Sequence, residues 1–306
     1  MKGILLAVTT AVLWGILAIA LKVALNYFDS YTIVWFRFLV ATLTLVTYYA
    51  FARPALLNIY KRPPWKMLLA ASLLAGNYIG YVQGIHYAGP AVTQIIIQTG
   101  PVILGIIGFS IFKEKISLLR AIGFAIATIG FLVFYFNQIN EMHSPKEALN
   151  IGVLWILGAA VSWASYAFLN KKLVQKYHPQ QINLIIFGLP SLLFLPTVDF
   201  SLFTLSYEWW VWLLMVALGL NTVVAYGTLS AAFKYTEANK ISIVIIMNPI
   251  ITFIALELLL LLDINWFVIS KVSTLAYVGA LLVILGTILA VGISTKKKKL
   301  STSSSN

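Results

Sequence analysis

The chain has no cysteine, which excludes disulfides and any thiolate metal site. Charge is also scarce. Asp, Glu, Lys and Arg make up 10% of its 306 residues, against roughly 25% in an ordinary soluble domain. The three histidines, His86, His143 and His178, fall in predicted loops or helix ends without metal-ligand spacing. No Gly-x-x-x-x-Gly-Lys-Ser/Thr loop is present, so the chain does not spend ATP by that route. No carboxylates are paired at short spacing within one apolar segment, which leaves intramembrane hydrolysis without machinery. These absences imply no cofactor, no metal and no catalytic residue.

What is present is apolar surface. Hydrophobic residues make up 61% of the chain and the mean hydropathy is +0.93, more than a soluble fold can bury. The net charge of +12 raises nucleic acid as a partner, but the basic residues sit in short segments between apolar runs, as topology determinants do. A bilayer core about 30 Å thick needs roughly 20 helical residues. Ten segments meet that requirement: Gly3–Leu25, Tyr31–Ala52, Trp65–Tyr87, Ala91–Phe112, Leu118–Phe136, Gly152–Leu173, Gln181–Val198, Trp209–Phe233, Ile241–Leu262 and Leu275–Ile293. The seventh is interrupted by Pro190 and closed by Pro196. The first is too long for a signal h-region and lacks a small-residue cleavage site. The runs lack the alternating polar residues of barrel strands, so the expected class is an all-α membrane protein of ten helices.

Basic residues orient the spans. Of the 21 Lys and Arg, all but Lys22, Lys146, Lys271 and Arg37 fall in one set of loops and termini. That excess predicts both termini in the cytoplasm of a plasma (bacterial inner) membrane. Lys296–Lys299 reads as a stop signal in contact with anionic lipid.

The two halves repeat each other. Ala-Val-Leu-Trp at Ala11–Trp14 returns as Ala-Val-Ser-Trp at Ala160–Trp163. Tyr87 and Pro101 return as Tyr235 and Pro249, and Gly123/Gly130 as Gly279/Gly286. Five helices per half is an odd number, so the second half enters from the opposite side as an inverted repeat. The expected organisation is a first five-helix repeat over 3–136, an extracytoplasmic linker over 137–150, a second repeat over 151–293, and a basic then Ser-rich cytoplasmic tail over 294–306.

Further residues carry a family likeness. Ala11-Val-Leu-Trp-Gly15, Arg37-Phe-Leu-Val-Ala41, Gln94-Ile-Ile-Ile-Gln-Thr-Gly-Pro101 and Phe112-Lys-Glu-Lys-Ile-Ser117 follow in order across nearly all of residues 3–293. In this the chain resembles the ten-helix EamA-type branch of the drug/metabolite transporter superfamily. The resemblance implies a permease, commonly an exporter of amino acids or related metabolites. Two departures stand out: Arg37 maps onto Ile186, and Glu114 has no clean second-half equivalent, whereas Glu257 lies inside the ninth segment.

Charged groups inside hydrocarbon need an explanation. Arg37 and Glu257 lie at similar depths, roughly 9 and 8 Å below the outer surface at about 1.5 Å per residue. They form a fixed ion pair, share an outer cavity with Lys22, or serve transport, Glu257 as a proton or amine site and Arg37 as a carboxylate site; both can also snorkel outward. Gln94, Gln98, Pro101 and Gly105 share one helix face. Pro101 frees a carbonyl near Ile97. Pro249 is its counterpart, with Asn248 on the adjacent stripe. Paired helix interruptions point to a transporter site; as an alternative, both prolines are tolerated kinks. Tyr78, Tyr81, Trp163 and Tyr226 either line the site or pack the core, as do Trp14 and Asn77.

The expected function is a secondary active transporter, exporter or exchanger, of a small organic solute such as an amino acid, by alternating access. Rival readings are a multidrug or nucleoside-like carrier, a lipid-acting membrane enzyme and a channel-like subunit. The partners expected are a small-molecule substrate and membrane lipid, without nucleic acid. The oligomeric state, monomer or homodimer, stays open.

Overall fold

The helices follow the apolar runs of the sequence, with polar extensions such as Lys146–Asn150 at the start of one of them. The computed structural model describes residues 2–104, 118–141, 146–236, 241, 244–245, 248–264, 266–267 and 273–291. Every regular element among them is helical. The chain is an all-α membrane protein.

Helix α1 spans Lys2–Ala24 and α2 spans Ser30–Ala52. The Asp29 carboxylate caps α2, accepting from the Tyr31 and Thr32 amides at 2.8 and 3.1 Å, which satisfies two of the helix's orphan donors. A 3-10 segment, Pro54–Lys61, leads to α3, Trp65–Ile96. Next come α4, Leu118–Glu141, and α5, Lys146–Leu173. Helix α6, Pro179–Leu193, starts with proline at its first turn, where the missing amide costs nothing. Short 3-10 pieces at Leu195–Thr197 and Phe200–Thr204 precede α7, Trp209–Tyr235. Helices α8, Asn248–Leu261, and α9, Thr274–Val291, complete the described chain. Six of these helices are long and apolar enough to cross a membrane, and apolar stretches within α4, α8 and α9 are shorter.

The boundaries differ from the sequence expectation in three places. The third and fourth predicted segments join in one helix, kinked at Gly89, whose φ of 79° is open to glycine. Pro90 then starts the second limb, so the break needs one residue, where the sequence suggested three. The polar stretch 137–150 is helical at both ends, because α4 continues to Glu141 and α5 starts at Lys146. Glu147 in the first turn of α5 suits the positive end of the helix dipole. The seventh segment stops as a regular helix at Leu193, four residues after which Thr197 closes the 3-10 turn containing Pro196.

Neighbouring helices are distant in sequence. Helix α1 packs on α7 and α8, α3 on α5, α2 on α6 and α7, and α4 on α9. Glycine makes the last contact close. A Cβ placed on Gly130 would lie 2.6 Å from Leu282 Cβ and Val283 N, and one on Gly279 would lie 2.8 Å from Gly130 O. The backbones therefore touch, as small residues permit between membrane helices.

Candidate functional site

The helix broken before Pro101 shapes the site. Proline has no amide to give to the carbonyl four residues back, and the chain responds with a turn at Ile97–Gln98 before helix resumes over 99–104. The carbonyl is not left free, as the sequence had suggested. Ile97 O accepts instead from the Gly100 amide at 2.9 Å. The same turn directs Gln98 Nε2 to Gln94 O at 3.1 Å.

Around this turn lies a cavity of about 560 Å³, including the space at its mouth, between limbs of α1, α2, α3, α5, α7 and α8. Its lining holds Arg37, Tyr78, Tyr81, Gln94, Gln98, Pro101, Trp163, Tyr226 and Asn248. These nine residues, all singled out in the sequence, thus come together. Trp14 and Asn77 also line it, as do Leu17, Ile97 and Ile245. Those last three carry no chemical signal, and only their neighbours in three dimensions reveal them.

The aromatic lining is continuous. Trp14 meets Trp163 edge-on at 6.2 Å and Tyr226 at 5.2 Å, and Tyr226 meets Tyr78 at 5.6 Å. The Arg37 guanidinium lies over the Tyr78 ring, 4.4 Å from its centre, in favourable cation–π contact. Polar side chains brace the wall through main-chain acceptors of α1. Gln94 Nε2 donates to Trp14 O at 3.0 Å, Asn221 Nδ2 to Leu13 O at 3.2 Å, and Thr252 Oγ1 to Gly15 O at 2.6 Å. Oriented to satisfy its neighbours, the Asn248 amide nitrogen donates to Ala11 O and Ile245 O at 2.9 Å each. Asn77 Nδ2 donates to Ala159 O at 3.1 Å. Four buried polar atoms of the lining residues lack a partner: Arg37 Nε, Tyr78 OH, Trp163 Nε1 and Gln98 Oε1.

Two singled-out residues lie elsewhere. Pro249 is buried in the first turn of α8, outside the lining. Glu257 is exposed on α8 and accepts a short hydrogen bond from the Tyr277 hydroxyl on α9. Arg37 and Glu257 are therefore not an ion pair. Matched depth placed them at one level, but α2 packs among α3, α6 and α7 while α8 packs on α1 and α3. Depth alone carries no information about which side of a helix a residue occupies.

Outside the cavity, a second polar chain joins α5, α6 and α7, with Asn170 Oδ1 left buried and without a partner. Asn170 Nδ2 donates to Tyr166 OH and Ser230 Oγ at 3.0 and 3.2 Å, and Ser230 Oγ donates to Asn183 Oδ1 at 3.0 Å. Tyr60, in the loop between α2 and α3, donates to Leu184 O at 2.9 Å, and burial pushes its hydroxyl up to about 12.

A polytopic helical membrane protein with a mixed polar and aromatic cavity between its helices fits the transporter class. The profile of the EamA-like transporter family matches residues 1–136 and again 150–292, and the chain belongs to that family. It is 31% identical over 287 residues to the uncharacterised inner membrane transporter YhbE of Escherichia coli strain K12, covering 93% of this chain and 89% of that one. It is 24% identical over 261 residues to a probable amino-acid metabolite efflux pump of Salmonella typhimurium, covering 80% and 83%. A solved crystal structure shares the fold at a TM-score of 0.67 and 16% identity, covering 94% of this chain and 96% of that one. The protein is a membrane transporter, not an enzyme.

Proposed function

We propose that the protein is a secondary transporter that moves a small organic solute, such as an amino acid or related metabolite, by alternating access through the cavity. The observation that carries this reading is the set of buried, unpartnered polar atoms on residues that line the cavity: Arg37 Nε, Tyr78 OH, Trp163 Nε1 and Gln98 Oε1. Buried polar groups are ordinarily hydrogen-bonded, and here a transient solute supplies the missing partners. The name of the Salmonella typhimurium relative supports amino-acid-like cargo and export.

In this reading the chain forms ten spans in two inverted five-helix repeats, 3–136 and 151–293, with both termini cytoplasmic. Equivalent residues meeting each other support it, as a two-fold axis between the halves requires. Trp14 contacts Trp163, and Tyr78 contacts Tyr226. A Cβ on Gly279 would meet Gly130 O at 2.8 Å, and one on Gly286 would meet Gly123 O at 2.7 Å, two contacts that the repeat interchanges. The pairing of α1 with α7 likewise answers that of α5 with α3.

Counter-flow in proteoliposomes tests the proposal. A carrier gives saturable uptake accelerated by the same solute on the far side. Non-saturating conductance would point to a channel, and turnover of lipid to an enzyme.

A further inference from the structure

From the cavity a polar track runs between α5, α6 and α7 toward the basic ends of α5 and α7. Tyr226, which lines the cavity, has its ring 5.9 Å from that of Tyr166. One turn further along α5, Asn170 donates to Tyr166 OH and to Ser230 Oγ at 3.0 and 3.2 Å. Ser230 donates in turn to Asn183 Oδ1 at 3.0 Å. Asn170, Asn183 and Ser230 stand three, four and five residues from the ends of α5, α6 and α7. None is more than 3% exposed. At the lip of the track, Lys171 Nζ donates to Phe233 O and Thr236 O at 2.9 Å each, tying α5 to the end of α7.

The equivalent positions of the other half are apolar. In the register that sets Trp14 against Trp163 and Tyr87 against Tyr235, they are Leu21, Val34 and Val82. All three are fully buried in the hydrophobic core. Aliphatic residues therefore suffice for packing at this place in the fold. The polar trio instead leaves Asn170 Oδ1 buried without a partner, an exception that packing does not explain. The two trios differ in their response to water. A polar wall exchanges its hydrogen bonds for water at small net cost, and water would complete Asn170. Wetting an aliphatic wall costs free energy in proportion to its area.

Resting on the carrier reading above, with its inverted repeat and cytoplasmic termini, we infer that Asn170, Asn183 and Ser230 line the cytoplasmic passage from the cavity. The passage opens by parting α7 from α5 and α6. Its polar groups bond to one another when it is shut and to water when it is open. The corresponding outer passage is aliphatic, so the chain without solute opens to the cytoplasm more readily than to the exterior.

The test exploits the absence of cysteine, because an introduced one is the only thiol. Ser230→Cys is nearly isosteric, and Gly227→Cys adds a Cβ whose nearest neighbour is Asn183 Nδ2 at 4.0 Å. Full-length variants in right-side-out and inverted membrane vesicles, without added solute, meet 2-sulfonatoethyl methanethiosulfonate, a charged thiol reagent that does not cross the bilayer. Mass spectrometry of the purified chain reads the modification. Both variants should react from the cytoplasmic side, and Val82→Cys from the outer side at least about ten-fold more slowly, as the wetting of one aliphatic side chain implies. Asn170→Leu, which makes the inner wall aliphatic, should slow modification of Gly227→Cys by a similar factor. Melting in detergent checks folding; if Ser230→Cys does not fold, Gly227→Cys decides alone. Folded variants that react only after denaturation, or only from the outer side, overturn the inference and leave the carrier standing. Val82→Cys reacting as fast as Ser230→Cys, or Asn170→Leu without effect, overturns the contrast between the two passages. Absence of saturable counter-flow for every solute overturns the carrier and the inference together.

Discussion

Replacing Gln98 by leucine separates stability from transport. Leucine keeps the approximate size of the side chain and removes both polar atoms. The lost bond from Nε2 to Gln94 O, 3.1 Å long, is worth about 0.5–1.5 kcal/mol net. Against it, the substitution removes Oε1, a buried acceptor without a partner, and an unsatisfied atom of that kind costs about 1–3 kcal/mol. The two contributions oppose each other, so stability should fall by no more than about 0.5 kcal/mol and can rise by up to about 2.5 kcal/mol. Transport should respond differently. If Oε1 accepts from the solute's ammonium group, its loss removes about 1.5–3 kcal/mol of binding, or roughly ten- to 150-fold in half-saturation. Melting in detergent reads the first quantity and counter-flow the second. Native half-saturation in Gln98→Leu would refute a solute contact at this residue. A large drop in melting temperature would refute the opposition of the two stability contributions.

Reporter fusions after Ser294 and within 137–150 should report cytoplasm and exterior respectively; finding both on one side ends the inverted-repeat reading. Gly279→Leu places a Cβ about where Gly130 O and Phe134 Cα already stand, each 2.8 Å away, and should lower stability by at least about 1–3 kcal/mol in detergent unfolding. An unchanged midpoint would contradict the backbone contact between α4 and α9. Thr252→Val removes the donor to Gly15 O and should cost about 0.6 kcal/mol and no more than roughly 1.7, the range for hydrogen bonds between membrane helices. Arg37→Leu and Glu257→Leu should act additively, within about 0.5 kcal/mol, since Glu257 bonds to Tyr277; a larger coupling energy would restore the ion pair.

The site was legible where chemistry and helix period coincide. Gln94 and Gln98 share a face with Pro101, and a proline dictates a local break whatever surrounds it. Trp163 and Tyr226 were legible through repetition, as partners of Trp14 and Tyr78. Leu17 and Ile245 were not, because an aliphatic residue in a membrane helix looks alike whether it faces lipid, a neighbour or a cavity. The Arg37–Glu257 pair failed for a related reason: chain position gives height in the bilayer, while azimuth comes from packing. The one-residue break at Gly89 was blurred because a glycine before a proline fits both a loop and a kink. Gly105 lies outside the described residues, so the face expected around Pro101 is described only in part.

Four carbonyls of α1 accept side-chain donors from other helices among the described residues: those of Ala11, Leu13, Trp14 and Gly15. At about 100° per residue these acceptors point to every side of the helix. One donor, Gln94, comes from the first half of the sequence; Asn221, Asn248 and Thr252 come from the second. Mechanically, then, α1 is a spindle gripped in a bearing made mostly by the other half. A chain severed at residues 142–145 would yield one fragment with an empty bearing and another with a bare spindle. Neither fragment holds a complete cavity wall, and co-expression should recover a folded protein where separate expression does not.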